Sequence, residues 1–115
     1  MMISEPRTAN TTGPVSLRWL GTEYCGWLTA LLNMDRAQSA EEFRAATEPW
    51  AVPTFCVVFA DTAGHIGYQC TGRIPIRRQW ERGYRQGWNP EHQWAGVISF
   101  KDMPRLADPP RGWIG

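Results

Sequence analysis

The side chains of this chain that could attack a substrate are serine hydroxyls and cysteine thiols, and two histidines could act as their bases. The candidates are Ser16, Ser39, Ser99, Cys25, Cys56 and Cys70, with His65 and His92. Nucleophilic catalysis requires a nucleophile within hydrogen-bonding reach of a base, and a third group that orients the base. Because no serine stands in a Gly-x-Ser-x-Gly elbow, the residues by themselves predict no active site.

Most of these candidates have a simpler structural explanation. Ser39 precedes a helix as its cap, and Cys56 lies within an apolar run, where a buried thiol is inert. A pair of Cys56 with His65 is imaginable, but a histidine at a hairpin turn is more typical of an exposed strand residue. His92 follows Glu91 in a loop, where we expect it to be solvated or hydrogen-bonded.

The remaining polar residues predict neither a metal site nor a disulfide framework. The histidines form no His-x-Glu or His-Glu-x-x-His motif, and the cysteines form no Cys-x-x-Cys pair. Cys56 and Cys70 fall on the two arms of a predicted hairpin and could lie near each other, although buried free thiols are the expected state. The carboxylates with turn or capping roles are Asp61, Asp102, Asp108, Glu41 and Glu42.

Length and charge indicate a single domain without an electrostatic preference for a class of partner. The chain has 115 residues and a formal net charge of +1, which gives no bias toward nucleic acid or membrane. No stretch is long enough to span a membrane, and the first residues do not form a signal peptide, so the compartment stays open. Five arginines crowd one segment, for which we expect a solvated or interdomain face: Arg73, Arg77, Arg78, Arg82 and Arg85.

Periodicity predicts a strand and two helices in the first half of the chain. Residues 15–20 alternate as a strand, and apolar residues recur at helical intervals from Trp27 onwards. Ser39 and Glu42 form the capping box of a second helix, which Pro49 ends. Residues 1–14 predict a disordered or loop-like N-terminus, so the domain itself is expected to span residues 15–115.

A hairpin over residues 54–72 is the clearest β-structure prediction. The apolar run 54–60 is typical of a strand buried on both faces. Asp61 and Gly64 supply the turn chemistry. The returning strand alternates apolar and polar side chains, with Ile66, Tyr68 and Cys70 on the apolar face.

The second half predicts less regular structure. Pro75 has no N–H to donate and cannot continue a central strand. Residues 79–90 predict a long surface loop, residues 93–100 a short strand, and residues 101–115 an irregular tail. The predicted fold class is therefore α+β, with antiparallel strands and one or two short helices.

Several motifs stand in the order and spacing typical of one hydrolase family. They are Leu17-Arg18-Trp19, Arg36-Ala37, Glu41-Glu42-Phe43-Arg44-Ala45-Ala46, Ala60-Asp61, Gly64-His65-Ile66-Gly67-Tyr68, Gly72-Arg73-Ile74-Pro75-Ile76-Arg77, Gly87-Trp88 and Pro109-Pro110. On these motifs, from Leu17 to Ile114, the chain resembles the penicillin acylase (penicillin amidase) family of N-terminal nucleophile hydrolases. The resemblance implies part of a four-layer αββα sandwich, from the β-chain region of an acylase.

The resemblance also implies a reaction. Family members hydrolyse a linear amide C–N bond and release an acyl group from an amine such as a β-lactam nucleus, which links them to antibiotic biosynthesis. A precursor cuts itself into α and β chains, and the newly exposed N-terminal residue attacks the amide with its own α-amine as base. An asparagine beyond Pro109-Pro110 helps to form the oxyanion hole. Both parts are expected outside residues 1–115, so we expect a fragment that is inactive alone, without catalytic, cofactor or metal residues of its own.

The implied partners are the remainder of the acylase α and β chains and a small amide substrate, with no nucleic acid and no membrane. Calcium is bound by some members, but no ligand for it carries over to this chain. Members are often periplasmic or secreted. The chain departs from the family pattern at four positions, with asparagine usual at Cys56, His65 and Asp108, and glutamine at Phe55.

Two alternatives to an acylase fragment stay open. The first is a non-catalytic binding module that stacks ligands on its aromatic residues, and the second is a helper subunit that completes a separately encoded acylase. Tryptophan is the residue that both alternatives and the fragment would use as packing or stacking surface. The seven tryptophans are Trp19, Trp27, Trp50, Trp80, Trp88, Trp94 and Trp113.

Overall fold

The described part of the chain forms three small antiparallel sheets and two α-helices. The computed structural model describes residues 2–3, 14–23, 26–79 and 82–115. Strands are β1 (Met2–Ile3), β2 (Val15–Ser16), β3 (Phe55–Ala60), β4 (Ile66–Thr71), β5 (Pro75–Arg77), β6 (Trp94–Val97) and β7 (Arg105–Ala107), and helices are α1 (Trp27–Arg36) and α2 (Ala40–Ala46). The sheets pair β1 with β2, β3 with β4 and β7, and β5 with β6. This arrangement confirms the predicted α+β fold class.

Helix α2 begins with the predicted capping box. The Ser39 hydroxyl accepts a hydrogen bond from the Glu42 N–H at 3.2 Å, and the Glu42 carboxylate accepts one from the Gln38 N–H at 2.8 Å. The first bond satisfies an N–H group of the first helical turn, and the second bonds Glu42 to Gln38, the residue that precedes the cap. The helix ends at Ala46, ahead of Pro49, where the buried Thr47 hydroxyl donates to the Arg44 carbonyl.

The hairpin of β3 and β4 has the predicted position. Its strands pair from Phe55↔Thr71 to Ala60↔Ile66. One carboxylate oxygen of Asp61 accepts hydrogen bonds from the N–H groups of Ala63 and His65, at 3.0 and 2.9 Å. The local turn chemistry therefore fixes the register of the hairpin.

One face of this sheet is covered by α2, and its burial differs from the prediction. The Phe43 and Phe59 rings lie 5.0 Å apart, and Phe59 packs over Gly67. The fully buried side chains of β4 are the polar Gln69 and Thr71, not the predicted apolar set. Both side chains bond to backbone: Thr71 Oγ1 donates to the Thr47 carbonyl, and Gln69 Nε2 donates to the Cys70 carbonyl. The Gln69 Oε1 atom is buried without a hydrogen-bond partner among the described residues.

The opposite face of the sheet, which we call the open sheet face, consists of Cys56, Val58, Ala60, Ile66, Tyr68, Cys70 and Leu106. The prediction that β3 is buried on both faces is wrong for this chain, because Cys56, Val58 and Ala60 are exposed. Val58 keeps 60% of its surface in contact with solvent. The apolar run thus has the composition of a two-sided core strand and only one covered side.

Three further element predictions are corrected. The predicted strand 15–20 stops at Ser16, and Leu20–Thr22 is a 3-10 helix. The predicted strand 93–100 shortens to Trp94–Val97, which pairs with β5. The tail predicted to be irregular contains β7, which joins β4. A three-residue strand carries too little periodicity to be recognised without its partner. Trp80 of the predicted loop 79–90 and most of the predicted N-terminal loop 1–14 lie outside the described residues.

The described core is small for a chain of this length. Buried apolar residues are Leu20, Ala30, Ala46, Ala51, Cys70 and Met103. The radius of gyration is 18.7 Å and the molecule measures 60 × 28 × 23 Å, whereas a compact domain of this length has a radius near ~13 Å. The chain is therefore elongated and buries little apolar surface.

We expect the isolated chain to be only marginally stable, because the open sheet face and the small core leave few interactions to offset chain entropy. Urea unfolding followed by tryptophan fluorescence should give a broad transition at low urea. A sharp, cooperative transition of a monomer, as judged by size-exclusion chromatography, would contradict this expectation.

Replacing Gly72 with alanine should open the hairpin at its outer end. Gly72 has φ = 104°, and a Cβ there would lie 2.7 Å from the Thr54 Cα. We expect a loss of about 1–3 kcal/mol in local stability, since an L residue is strained in this conformation. Hydrogen exchange of the β3 and β4 amides measures it without requiring a cooperative melt. Gly87→Ala is the control, because nothing lies within 4 Å of a Cβ at that position; equal protection in the two variants would refute the expectation.

Candidate functional site

The candidate nucleophiles in the described residues all have structural contacts. Ser39 caps α2, and the Ser99 hydroxyl donates to an Asp102 carboxylate oxygen at 2.6 Å. Ser16 belongs to β2 and pairs with Met2. Cys56 is exposed, contrary to the expected buried thiol, and its sulfur lies 2.9 Å from the Tyr68 hydroxyl oxygen. Cys25 lies outside the described residues.

The two histidines are bonded to scaffold groups. His92 Nδ1 accepts a hydrogen bond from the Gln86 N–H at 3.2 Å. His65 Nδ1 lies 2.8 Å from an Asp108 carboxylate oxygen, and the other oxygen accepts from the Ile66 N–H at 2.9 Å. Asp108 in turn donates its own N–H to the Ile66 carbonyl. We call this set, His65, Ile66 and Asp108, the turn clamp, because it ties the hairpin turn to the residue that follows β7.

Sequence reasoning assigned His65 and Asp108 to separate turns and missed their contact. The available signal was that both positions carry asparagine in the family pattern and titratable residues here. The hydrogen bond that His65 donates to the Asp108 carboxylate, and then the charge of that carboxylate, raise the pKa of His65. The Ile66 N–H, and then His65, lower the pKa of Asp108. The clamp is a structural ion pair at the surface, with both side chains more than half exposed.

A second feature is a groove between the N-terminal segment and β5, which we call the arginine–tryptophan groove. It has a volume of about 670 Å³. Its charged and aromatic lining consists of Arg18, Arg73, Arg77, Trp19, Trp27 and Trp94. The Arg18 guanidinium lies 4.3 Å from the centroid of the Trp94 ring and donates to the Gln93 amide oxygen at 2.8 Å. Cation–π contacts of this kind hold arginine flat against an indole ring.

The groove combines guanidinium donors with exposed indole rings. Trp19 and Trp27 are 56% and 47% exposed, so their rings are available for packing. Arg73 lies 3.9 Å from Glu23 at the surface, an ion pair of small energetic weight. The predicted arginine segment is thus divided, since Arg73 and Arg77 line the groove while Arg78 bonds Glu91 at 2.9 Å.

The open sheet face forms a third feature. A shallow cavity of about 340 Å³ lies between Val58, Ala60 and Ile66 of the hairpin and Trp113 and Ile114 of the tail. Trp113 is 57% exposed. Exposed apolar side chains grouped in this way are typical of a surface that packs against other protein.

The described residues do not offer a metal centre. No three histidine, cysteine, aspartate or glutamate side chains among them come together in a way that could hold an ion. None of the helices in the described ranges is long and apolar enough to cross a membrane.

The turn clamp should weaken on both sides of a pH window. The pKa of His65 is raised from 6.5. The stability that protonated His65 gives the turn clamp is therefore complete below pH 6.5 and is lost as the pH rises through the raised value. Because the pKa of Asp108 is lowered from 3.8, its contribution is present above pH 3.8 and is lost as the pH falls through the lowered value. Protection of the Ile66 amide should therefore be greatest between these limits.

The clamp can be tested by NMR titration of His65. In the Asp108→Asn variant the pKa of His65 should fall toward its ordinary value. Asp102→Asn is the control, because the Asp102 carboxylate bonds Ser99 and not His65. This variant should leave the His65 titration unchanged. An unchanged pKa in Asp108→Asn would show that the contact does not exist in solution.

Comparison with known proteins identifies the family of the chain. The penicillin amidase family model matches residues 1–115. The chain is 37% identical over 86 residues to the penicillin acylase 2 proenzyme of Pseudomonas sp. strain SE83, covering 73% of this chain and 11% of the relative. It is 38% identical over 88 residues to the acyl-homoserine lactone acylase QuiP of Pseudomonas fluorescens strain Pf-5, covering 76% and 11%. The chain thus spans about a tenth of the length of these relatives.

A solved structure confirms the expected fold. The chain matches a thermostable penicillin G acylase from Alcaligenes faecalis with a TM-score of 0.62 and 26% identity, over 89% of this chain and 21% of the acylase chain. Its helices and antiparallel strands therefore correspond to a part of the acylase sandwich, as the motifs predict. The motif resemblance, the family match and the structural match agree: the chain belongs to the penicillin amidase family.

Proposed function

We propose that the described residues are a scaffold segment of an amide-hydrolysing acylase and that the catalytic nucleophile comes from another part of that enzyme. The observation that carries the proposal is the combination of a match along residues 1–115 with a span of 11% of the acylase relatives. The proposal holds whether the other part belongs to the same polypeptide or to a separate one, as for a helper subunit.

The surfaces of the chain support this role. The open sheet face leaves Val58 at 60% exposure, and the groove leaves Trp19 and Trp27 about half exposed. Exposed apolar surface of this kind stabilises a protein only when other protein covers it. The remainder of the acylase would cover the open sheet face and thereby complete the second layer of the sandwich.

The proposed reaction is hydrolysis of a linear amide that releases an acyl group from an amine. The names of the relatives give a penicillin acylase and an acyl-homoserine lactone acylase. Cleavage of an acyl amide is common to both, so this is the reaction class we propose for the complete enzyme, with a place in antibiotic biosynthesis if the amine is a β-lactam nucleus. The candidate nucleophiles Ser39, Ser99 and Cys56 have structural contacts. We therefore assign this segment a structural contribution, which is to hold strands in register.

A second candidate function is a non-catalytic binding module. The arginine–tryptophan groove favours it, since guanidinium groups can bond an anionic group and exposed indole rings can stack on an aromatic one. The two functions differ in what covers the groove and the open sheet face. A binding module leaves the face in water, whereas an acylase segment buries it.

The proposal is tested by replacing the corresponding segment of the penicillin acylase 2 proenzyme with residues 14–115. We expect the chimera to process itself and to hydrolyse a penicillin, while the 115-residue chain alone shows no saturable hydrolysis. Saturable hydrolysis by the chain alone would overturn the assignment of the nucleophile to another part. Failure of the chimera to mature at all would favour the binding module.

A charge on the open sheet face separates the two functions further. Val58→Asp should reduce activity of the chimera by more than about tenfold, because an unpaired carboxylate would be buried there. The same variant should leave the circular dichroism of the isolated chain unchanged, since Val58 is exposed in it. Thr62→Asp at the exposed turn is the control and should retain activity. Full activity of Val58→Asp would show that the face is not covered.

A further inference from the structure

Cys56 and Cys70 stand directly opposite each other in the β3–β4 hairpin. Their position in the ladder follows from two hydrogen bonds. The Cys70 N–H donates to the Pro104 carbonyl at 2.8 Å and so points away from β3. The Asp61 N–H donates to the His65 carbonyl, and alternation from that bonded pair also makes Cys56↔Cys70 a non-hydrogen-bonded pair.

This position brings two thiols within reach of each other. Opposed residues of a non-hydrogen-bonded pair have Cα atoms about 4.5 Å apart, which lies inside the range of about 4.4–6.8 Å that disulfides span. Both side chains project from the open sheet face, because opposed residues share a face. Burial, and then a hydrogen bond with the Cys56 thiol, raise the pKa of Cys70.

The two cysteines differ in access to solvent. Cys56 is exposed and Cys70 is buried. The Tyr68 hydroxyl, whose oxygen lies 2.9 Å from the Cys56 sulfur, can donate a hydrogen bond to a Cys56 thiolate. Cys56 is therefore the thiol that an oxidant meets first, and Cys70 is placed behind it as the resolving thiol.

We propose that Cys56 and Cys70 form a cross-strand disulfide when the chain, with its open sheet face uncovered, meets a small-molecule disulfide such as oxidised glutathione. The Cys56 thiolate attacks one sulfur of the oxidant, forming a mixed disulfide and releasing the first thiolate. The Cys70 thiolate then attacks the Cys56 sulfur, forming the Cys56–Cys70 bond and releasing the second thiolate. Two electrons pass from the cysteines to the oxidant disulfide, and the two cysteine protons end on the released thiols.

The disulfide would lock the register of β3 and β4. It closes a loop between residues 56 and 70, and closure of a loop of this length restricts the unfolded chain. The pairing does not depend on the proposed acylase role, since it uses residues of one hairpin. Cys56 stands where the family pattern has asparagine, so the pair belongs to this chain rather than to the family pattern.

The test is a titration of the full chain with mixtures of reduced and oxidised glutathione, followed by acid quenching, alkylation and peptide mass spectrometry. Trimethylamine N-oxide in the buffer favours the folded state. We expect a Cys56–Cys70 cross-linked peptide with the mass loss of two hydrogens. The equilibrium constant against glutathione should be on the order of 100-fold higher than in concentrated urea, because the fold holds the thiols together.

Variants assign the order of events. Cys70→Ala should retain glutathione on Cys56, whereas Cys56→Asn should leave Cys70 reduced in the folded chain. Cys25→Ala is the control and should still form the Cys56–Cys70 bond. The proposal is overturned by a stable glutathione adduct on Cys56 of the wild-type chain, by cross-links that require Cys25, or by equal equilibrium constants in folding buffer and urea.

Discussion

The carboxylate of Asp61 connects the three parts on which the described structure depends. One oxygen accepts hydrogen bonds from the Ala63 and His65 N–H groups and closes the hairpin turn. The other oxygen accepts from the Ala40 N–H at 3.3 Å, at the first turn of α2. Three backbone donors lower the pKa of Asp61, with the His65 N–H as the largest cause. One side chain thus fixes the turn, the strand register and the place where the helix meets the sheet.

The two faces of the sheet of β3, β4 and β7 differ in burial. On the α2 side, Phe43, Phe59 and the backbone-bonded Gln69 and Thr71 fill the interface. On the other side, Val58 meets solvent. A sheet with one covered face is half of a sandwich. In the proposed acylase, the other layer comes from the remainder of the enzyme. The same exposed side makes Cys56 accessible to a soluble oxidant.

Local chemistry could be predicted from the sequence, and long-range contacts could not. The Ser39 capping box and the Asp61 turn involve residues within four positions of each other, so their residue types suffice. The contact of His65 with Asp108 joins residues 43 positions apart, and the sequence offers no periodicity for it. Burial of Gln69 instead of Ile66 follows from which face α2 covers, a tertiary choice that overrides the alternation of side chains.

The pairing of β4 with β7 has a kinetic consequence. Gly67 pairs with Ala107, 40 positions further along the chain, whereas the two strands of the hairpin are separated by a short turn. Closing the longer loop costs more entropy, and its three-residue strand returns few bonds for that cost. We therefore expect the hairpin to form before β7 joins it. Until β7 pairs, the Cys70 N–H lacks its Pro104 acceptor and the edge of β4 is open to wrong strand pairing.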